Sequence, residues 1–321
     1  MAGKNFLITR ACAALAACCA LTMPARAAGD TASNEQHAPA SAQRTSTAPP
    51  QGRLYRIQSG QRISYLFGTV HVGEKSFFPL APEVSRALAD ASELVLELDT
   101  RANQAFQDAV LAHGSYRGGD DIRRHLAPAT VAGLTSALHE VGITLNSVSH
   151  LKPWLIANIL LGLELQRHGY DRTHGVESFL LANAQQRGTT VSELESADYQ
   201  LALFDTLTSE ESEHYLLESL RGLSDGSSLR KARATLEAWR SGDQAALSAV
   251  IADATADDSV VARFTRSTLL GRRNPEMAER IARIMDGGKT AFGGVGLLHL
   301  RGADGLPHLL AQRGYQVERV Y

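Results

Sequence analysis

Two Gly-x-x-His tetrapeptides stand near opposite ends of this chain: Gly68-Thr69-Val70-His71 and Gly296-Leu297-Leu298-His299. Each closes an apolar run that reads as a buried strand, SYLFGTVH in the first case and TAFGGVGLLH in the second. A glycine allows a sharp turn or a close backbone approach. A histidine three residues later, past a strand end, lies where open α/β sheets place their sites. Imidazole is both a common metal ligand and a common general base. Only a fold that closes the chain around these two strands can bring both histidines to one place.

The periodicity between them agrees with such a fold. Leu54–Ile57 and Ile63–Phe67 read as a hairpin turning at Ser59-Gly60-Gln61, and Pro82–Ala91 carries apolar residues at helical spacing. Leu94–Leu98 reads as a second buried strand, Thr290–His299 as a third, and Gly314–Val320 as a last one. Residues 103–250 are mostly helical in pattern, and Trp154–Leu165, their most apolar stretch, has the length and the polar Asn158 of a core helix. Strands and helices at both ends with helices between them predict α/β layers carrying a helical insertion.

The amino terminus predicts export. Lys4 and Arg10 precede the apolar run ACAALAACCALTM, and Ala25-Arg26-Ala27 supplies an Ala-x-Ala cleavage site, so residues 1–27 read as a signal peptide. Leu15-Ala16-Ala17-Cys18 offers a rival, lipoprotein processing that leaves the chain membrane-anchored through Cys18. Residues 28–52 are small, polar and punctuated by proline, the composition of a disordered tether, and one folded domain is expected over 53–321. Cleavage after Ala27 removes Lys4, Arg10 and Arg26 and no acid, taking the formal charge from −2 to −5. It also removes all three cysteines, Cys12, Cys18 and Cys19, leaving a thiol-free periplasmic or secreted protein with no disulfide and no thiolate metal site. The acidic balance, with no basic run interleaved with aromatics, gives no sign of a nucleic-acid partner.

Several chemistries drop out. Gly287-Gly288-Lys289-Thr290 imitates the end of a phosphate loop, but Arg283 stands where the first glycine belongs and the run precedes its strand. His139-Glu140 opens like a zinc-protease helix, but Ile143 replaces the second histidine. Gly222-Leu223-Ser224-Asp225-Gly226 spells Gly-x-Ser-x-Gly, but it lies inside the stretch of helical pattern and follows no strand, so it is no nucleophile elbow. Water activation by a metal or by a carboxylate–histidine base remains. The residues for it are His71 and His299 with two acids at strand ends, Glu97 and Glu195. Arg273-Asn274, ahead of a helix expected at Pro275–Met285, offers a cation and an amide to an oxyanion.

In this order GTVHVG (68–73), LVLELD (94–99), LKPW (151–154), HGVE (174–177), ELES with Gln200, RRNPEM (272–277) and GVGLLHLRGADGLPHLLAQRGYQV (294–317) resemble the TraB/PrgY/GumN family over nearly all of 53–321. That family is related to the TIKI metalloproteases and, more distantly, to the ChaN/erythromycin-esterase-like superfamily. The resemblance implies a mixed β-sheet core flanked by helices, with both histidines converging on one pocket. It also implies that His71, Glu97, Glu195 and His299 are metal ligands or bases, while Arg273 and Asn274 steady the transition state. The implied cofactor is a divalent metal: manganese, cobalt, zinc or iron. The implied partner is a peptide or protein substrate, turned over by an exported metal-dependent peptidase. The alternative is a non-catalytic protein holding a peptide, haem-like or saccharide ligand. One departure stands out: the family usually places a small residue and a glycine before the second histidine, where this chain has Leu297-Leu298.

Overall fold

The computed structural model describes residues 50–321 apart from 100, 102 and 103. The expected signal peptide lies outside the described residues, as does the tether except for its last three positions. Of these, Gln51 is already part of the fold: its side chain accepts the Ala81 N–H at 2.9 Å and faces the Phe77 and Pro79 carbonyls. No helix among the described residues is long and apolar enough to cross a membrane.

Among the described residues six strands form one mixed sheet: β1 (Leu54–Ser59), β2 (Arg62–Thr69), β3 (Glu93–Leu96), β4 (Thr190–Glu193), β5 (Ala291–Gly296) and β6 (Gln316–Arg319), in the spatial order β4-β3-β5-β2-β1-β6. With helices covering both faces, this is an α/β fold, as expected. The hairpin β1–β2 and the pair β1–β6 are antiparallel, whereas β2, β5, β3 and β4 run parallel. β3 and β5 lie between neighbours and are buried almost throughout, which explains their apolar sequences without alternation. Glu93 is the exception in β3. Its buried carboxylate is held by Lys289 at 2.7 Å and by the Ser192 hydroxyl.

One face of the sheet packs Phe67, Leu96 and Phe292 against Val84, Leu180 and Trp239. The other packs Leu66, Val95 and Val295 against Met277, Ile281 and Leu310. A third core has no strand in it and gathers the inserted helices around Trp154, Phe204, Tyr215 and Phe264, with the Trp154 and Phe204 rings stacked at 4.2 Å. The helix Pro153–Arg167 crosses this core, its proline at the first turn where a missing N–H costs nothing. The insertion is not wholly helical, because β4 interrupts it to pair with β3.

Three boundaries near the candidate residues differ from the sequence expectation, each for a physical reason. β3 ends at Leu96, because the Glu97 carboxylate turns to bond another strand's backbone and an arginine. β5 ends at Gly296, and His299 sits on a 3-10 turn, Leu297–Leu300. Leu297 and Leu300 are both buried, and a 3-10 turn aligns residues three apart. The helix expected at Pro275 begins at Arg273, continuing a π-helical run, Thr265–Arg272.

A charged cluster ties the helix Gln104–Gly114 to the helix Ala197–Ala202. His113 lies between Asp205 at 2.6 Å and Asp198 at 2.9 Å, and Lys152 also reaches Asp205. Burial opposes a charge on this ring, but the two carboxylates outweigh it and raise its pKa above 6.5. A folded pKa above the unfolded one stabilises fully below the unfolded value, and that stabilisation fades as pH rises through the folded pKa. The melting temperature of the wild type should therefore fall relative to His113→Gln as pH is raised from about 6 to about 9. Parallel melting curves across that range would contradict the assignment.

Candidate functional site

The four parallel strands all end at one edge of the sheet, and each delivers part of one cluster there. β2 leads to His71, β3 to Glu97, β4 to Glu195, and β5 to Gly296 and His299. Thr69 pairs with Gly296 in register, so the two Gly-x-x-His segments leave the sheet side by side. This is the carboxyl-end crevice that open α/β sheets use for ligands.

Each histidine is held from behind through Nδ1. His71 Nδ1 lies 2.9 Å from Glu177 Oε1, which also accepts the Thr69 hydroxyl at 2.5 Å. Glu177 comes from the first turn of the helix Val176–Arg187. That turn is clasped to the loop carrying His71: Val176 N–H donates to Val70 O at 3.0 Å, and Gly73 and Asp171 exchange two backbone bonds at 2.9 Å. A side chain at position 175 is impossible in this arrangement, since a Cβ on Gly175 would lie 2.3 Å from the His71 carbonyl oxygen. His299 Nδ1 faces Asn274 Oδ1. The orientation of that amide follows from its other end, where Nδ2 donates to Asp304 O at 2.6 Å. Asn274 Oδ1 can only accept, so His299 carries its proton on Nδ1 and presents a bare Nε2.

Between the imidazoles stands Glu97. Its Oε1 accepts the Gly296 N–H at 2.6 Å and its Oε2 accepts from Arg273 Nη2 at 2.6 Å. His299 Nε2 is 3.6 Å from Oε1. Gly296 opens the space in the middle: a Cβ there would lie 3.2 Å from Glu97 Oε1, 3.6 Å from His299 Cδ2 and 3.7 Å from His71 Nε2. Arg273 anchors the arrangement, with Nε 3.0 Å from both Glu195 oxygens and Nη2 2.6 Å from Oε2. Gln200 adds a further donor to Glu195 Oε2 at 2.7 Å.

The electrostatics separate the two histidines. Burial alone would lower the pKa of His71, but the Glu177 carboxylate raises it above the ordinary value. Burial also drives His299 down, and Arg273 and His71 add to this against the pull of Glu97, leaving it at about 4 and neutral at pH 7. Burial works against a charge on Glu97, but the neighbouring imidazoles, Arg273 and the Gly296 N–H outweigh it and hold it far below the usual carboxylate range. The floor of the site is therefore an ionised carboxylate flanked by two Nε2 atoms.

All six residues singled out in the sequence meet here, in different roles. His71, Glu97 and His299 face the shared space. Glu195 uses its oxygens on Arg273 and Gln200, Arg273 bridges the two carboxylates, and Asn274 orients His299. Among the described residues no group of three or more His, Cys, Asp or Glu is arranged as a metal cluster. The donor chemistry nonetheless suits a hard or borderline divalent ion at His71 Nε2, His299 Nε2 and Glu97 Oε1. Glu97 Oε1, His71 Nε2 and the Cδ2 edge of the His299 ring border the space where Gly296 lacks a Cβ, and both imidazoles have the Nδ1 partners that metal-bound histidines use. Glu195 does not fit that set.

Sequence reasoning gave Glu177 no role, although it closes the HGVE (174–177) motif; its local signal is an acid in the first helical turn behind a glycine. Glu177→Gln should lower the His71 pKa, read by imidazole NMR, and cut any His71-dependent activity or metal affinity about 10–100-fold. An unchanged His71 titration would show that the pair is not coupled.

Fold and site together define an α/β protein with a buried histidine–carboxylate centre at the carboxyl ends of its parallel strands. The chain belongs to the TraB/PrgY/gumN family, whose sequence model matches residues 53–319. It is similar to the uncharacterized protein YbaP of Shigella flexneri, with 26% identity over 144 residues, covering 45% of this chain and 52% of that protein. It is likewise similar to YbaP of Escherichia coli (strain K12), with 25% identity over 144 residues, 45% of this chain and 52% of the relative. The chain thus matches about half the length of these relatives. No solved structure matches it.

Proposed function

We propose that this chain is an exported, metal-dependent hydrolase that cleaves a peptide or protein segment. The observation that carries the reading is the grouping of His71 Nε2, Glu97 Oε1 and the His299 ring around the space left by Gly296, with His299 Nε2 3.6 Å from Glu97 Oε1. A lone pair on His299 Nε2 facing an ionised oxygen at 3.6 Å asks for a cation between them. His71, His299 and Glu97 would hold the divalent ion. Bound there, it would polarise a carbonyl and lower the pKa of water. The chain's own part is positioning: Glu177 and Asn274 fix the two rings, while Arg273 and the Gly296 N–H keep Glu97 ionised. Export rests on Lys4, Arg10, the apolar run and the Ala-x-Ala site, with lipidation at Cys18 as the route by which the protein would meet a membrane.

Titration calorimetry of the purified mature chain with Mn, Co, Zn and Fe salts tests this directly. One ion is expected per chain, with peptide hydrolysis lost on chelation and restored by metal. Ligand binding without any turnover, loaded or not, would overturn the reading in favour of a binding protein. A second reading has its own observation, the His71–Glu177 pair, which is a complete general-base dyad. Turnover that survives chelation but disappears in Glu177→Gln would favour it.

A further inference from the structure

Above the polar floor opens a cavity of about 420 Å³ whose walls come from separate parts of the chain. Leu161 and Leu165 belong to the helix Pro153–Arg167, Leu269 and Leu270 to the π-helical run, and Leu298 immediately precedes His299. The size is within the ordinary range for small-ligand pockets. What distinguishes this one is the state of its polar lining. The Thr69 hydroxyl is bonded to Glu177, that of Thr235 to Lys231 O, and that of Thr265 to Val261 O. The Gln200 amide donates to Glu195. Arg273, the cation in the lining, already bridges Glu97 and Glu195. Each wall hydroxyl thus donates to another protein group, so above the polar floor an entering side chain finds no free hydroxyl donor and meets mostly leucine carbon.

The Leu297-Leu298 step gives this chemistry a position. Leu297 turns into the core, where Gly68 makes room for it: a Cβ on Gly68 would lie 3.0 Å from Leu297 Cδ1 and 2.8 Å from Leu300 Cδ1. Leu298 stays partly exposed and lines the cavity one residue from His299. From this we infer that the site selects a bulky, uncharged apolar side chain, of leucine or phenylalanine type, adjacent to the bond it acts on, with Leu298 and Leu270 as specificity-determining residues. The inference rests on the hydrolase reading above for the reacting bond, but the selection itself is a binding property.

The test is therefore made on binding first. Blocked tripeptide amides differing only in a central Leu, Phe, Ala, Glu or Lys are titrated into the full mature chain under chelation, with octanoyl-glycine alongside. The Leu and Phe peptides should bind at least about 10-fold more tightly than the Ala peptide, as burial of one large side chain requires. The Glu and Lys peptides should be weaker again. Leu298→Ser should erase most of that preference, and Leu270→Ser, at a partly exposed position, supplies the same readout if the first variant folds poorly. Equal binding of all five, preference for a charged residue, or no peptide binding at millimolar concentration overturns the inference. So does tight binding of octanoyl-glycine with no discrimination among peptides, which would make the occupant an acyl chain. A clear Leu preference in binding with no hydrolysis under any metal condition leaves the pocket assignment standing and sinks the hydrolase reading alone.

Discussion

Replacing Arg273 by methionine should destabilise the protein by about 3–5 kcal/mol, the usual cost of breaking a buried ion pair from one side. Arg273 is only 7% exposed, and its guanidinium is bonded to two carboxylates that come from the ends of different strands. Methionine fills similar space, so packing is largely kept and the loss falls on charge. Glu97 and Glu195 are both buried or nearly so, and both would be left without their cation. For a domain of this size the melting temperature should drop by roughly 10 °C, read by calorimetry or circular dichroism. The triple variant with Glu97→Gln and Glu195→Gln should recover much of that loss, because it removes the stranded charges. If Arg273→Met alone melts like the wild type, the three residues do not form one linked unit.

The second large effect concerns chemistry. On the hydrolase reading, His299→Ala should lower turnover about 10²–10⁴-fold, and His71→Ala should do the same, in the range expected when a positioned acid–base group is lost. The two variants should differ in stability. His71 has about a third of its side chain exposed, whereas His299 is 6% exposed and bonded to Asn274, so removing it leaves a void and an unpaired amide oxygen. His299→Ala should melt lower than His71→Ala while both lose activity. Full turnover in either variant would remove that histidine from the reacting centre.

Much of this centre is legible in the amino-acid sequence. The strands show as largely apolar runs where they approach the site, because β3, β5 and the second half of β2 are buried. The residues that meet are legible as types, since an acid inside LVLEL and a histidine after a glycine break an otherwise buried pattern. Their partners are not. Nothing local in LVLEL says that Glu97 bonds the backbone of Gly296, 199 residues away. Glu195 reads like Glu97 in sequence, yet it serves Arg273, and only the packing of the helix Arg273–Asp286 reveals this. Glu177 is hidden for a similar reason, as an acid in a first helical turn is ordinary helix chemistry. The Thr265–Arg272 segment escapes because its helical pattern does not show whether the backbone bonds run to the fourth or the fifth residue.

The parallel pairing of β2 with β5 also bears on how the protein comes to exist. β2 is complete by residue 69, but the strand that lies between it and β3 spans 291–296. Until that segment is available, β2 and β3 are two separated pieces with open edges, and the glycine-rich strand that joins them is among the last to arrive. Contacts this distant in sequence are slow to form and leave intermediates exposed to aggregation. Folding of this chain should therefore be largely a single late event, in which closing the sheet and assembling the histidine–carboxylate centre are the same step. A chain stopped short of residue 291 would lack β5 and His299, and with them the join between β2 and β3 on which the centre is built.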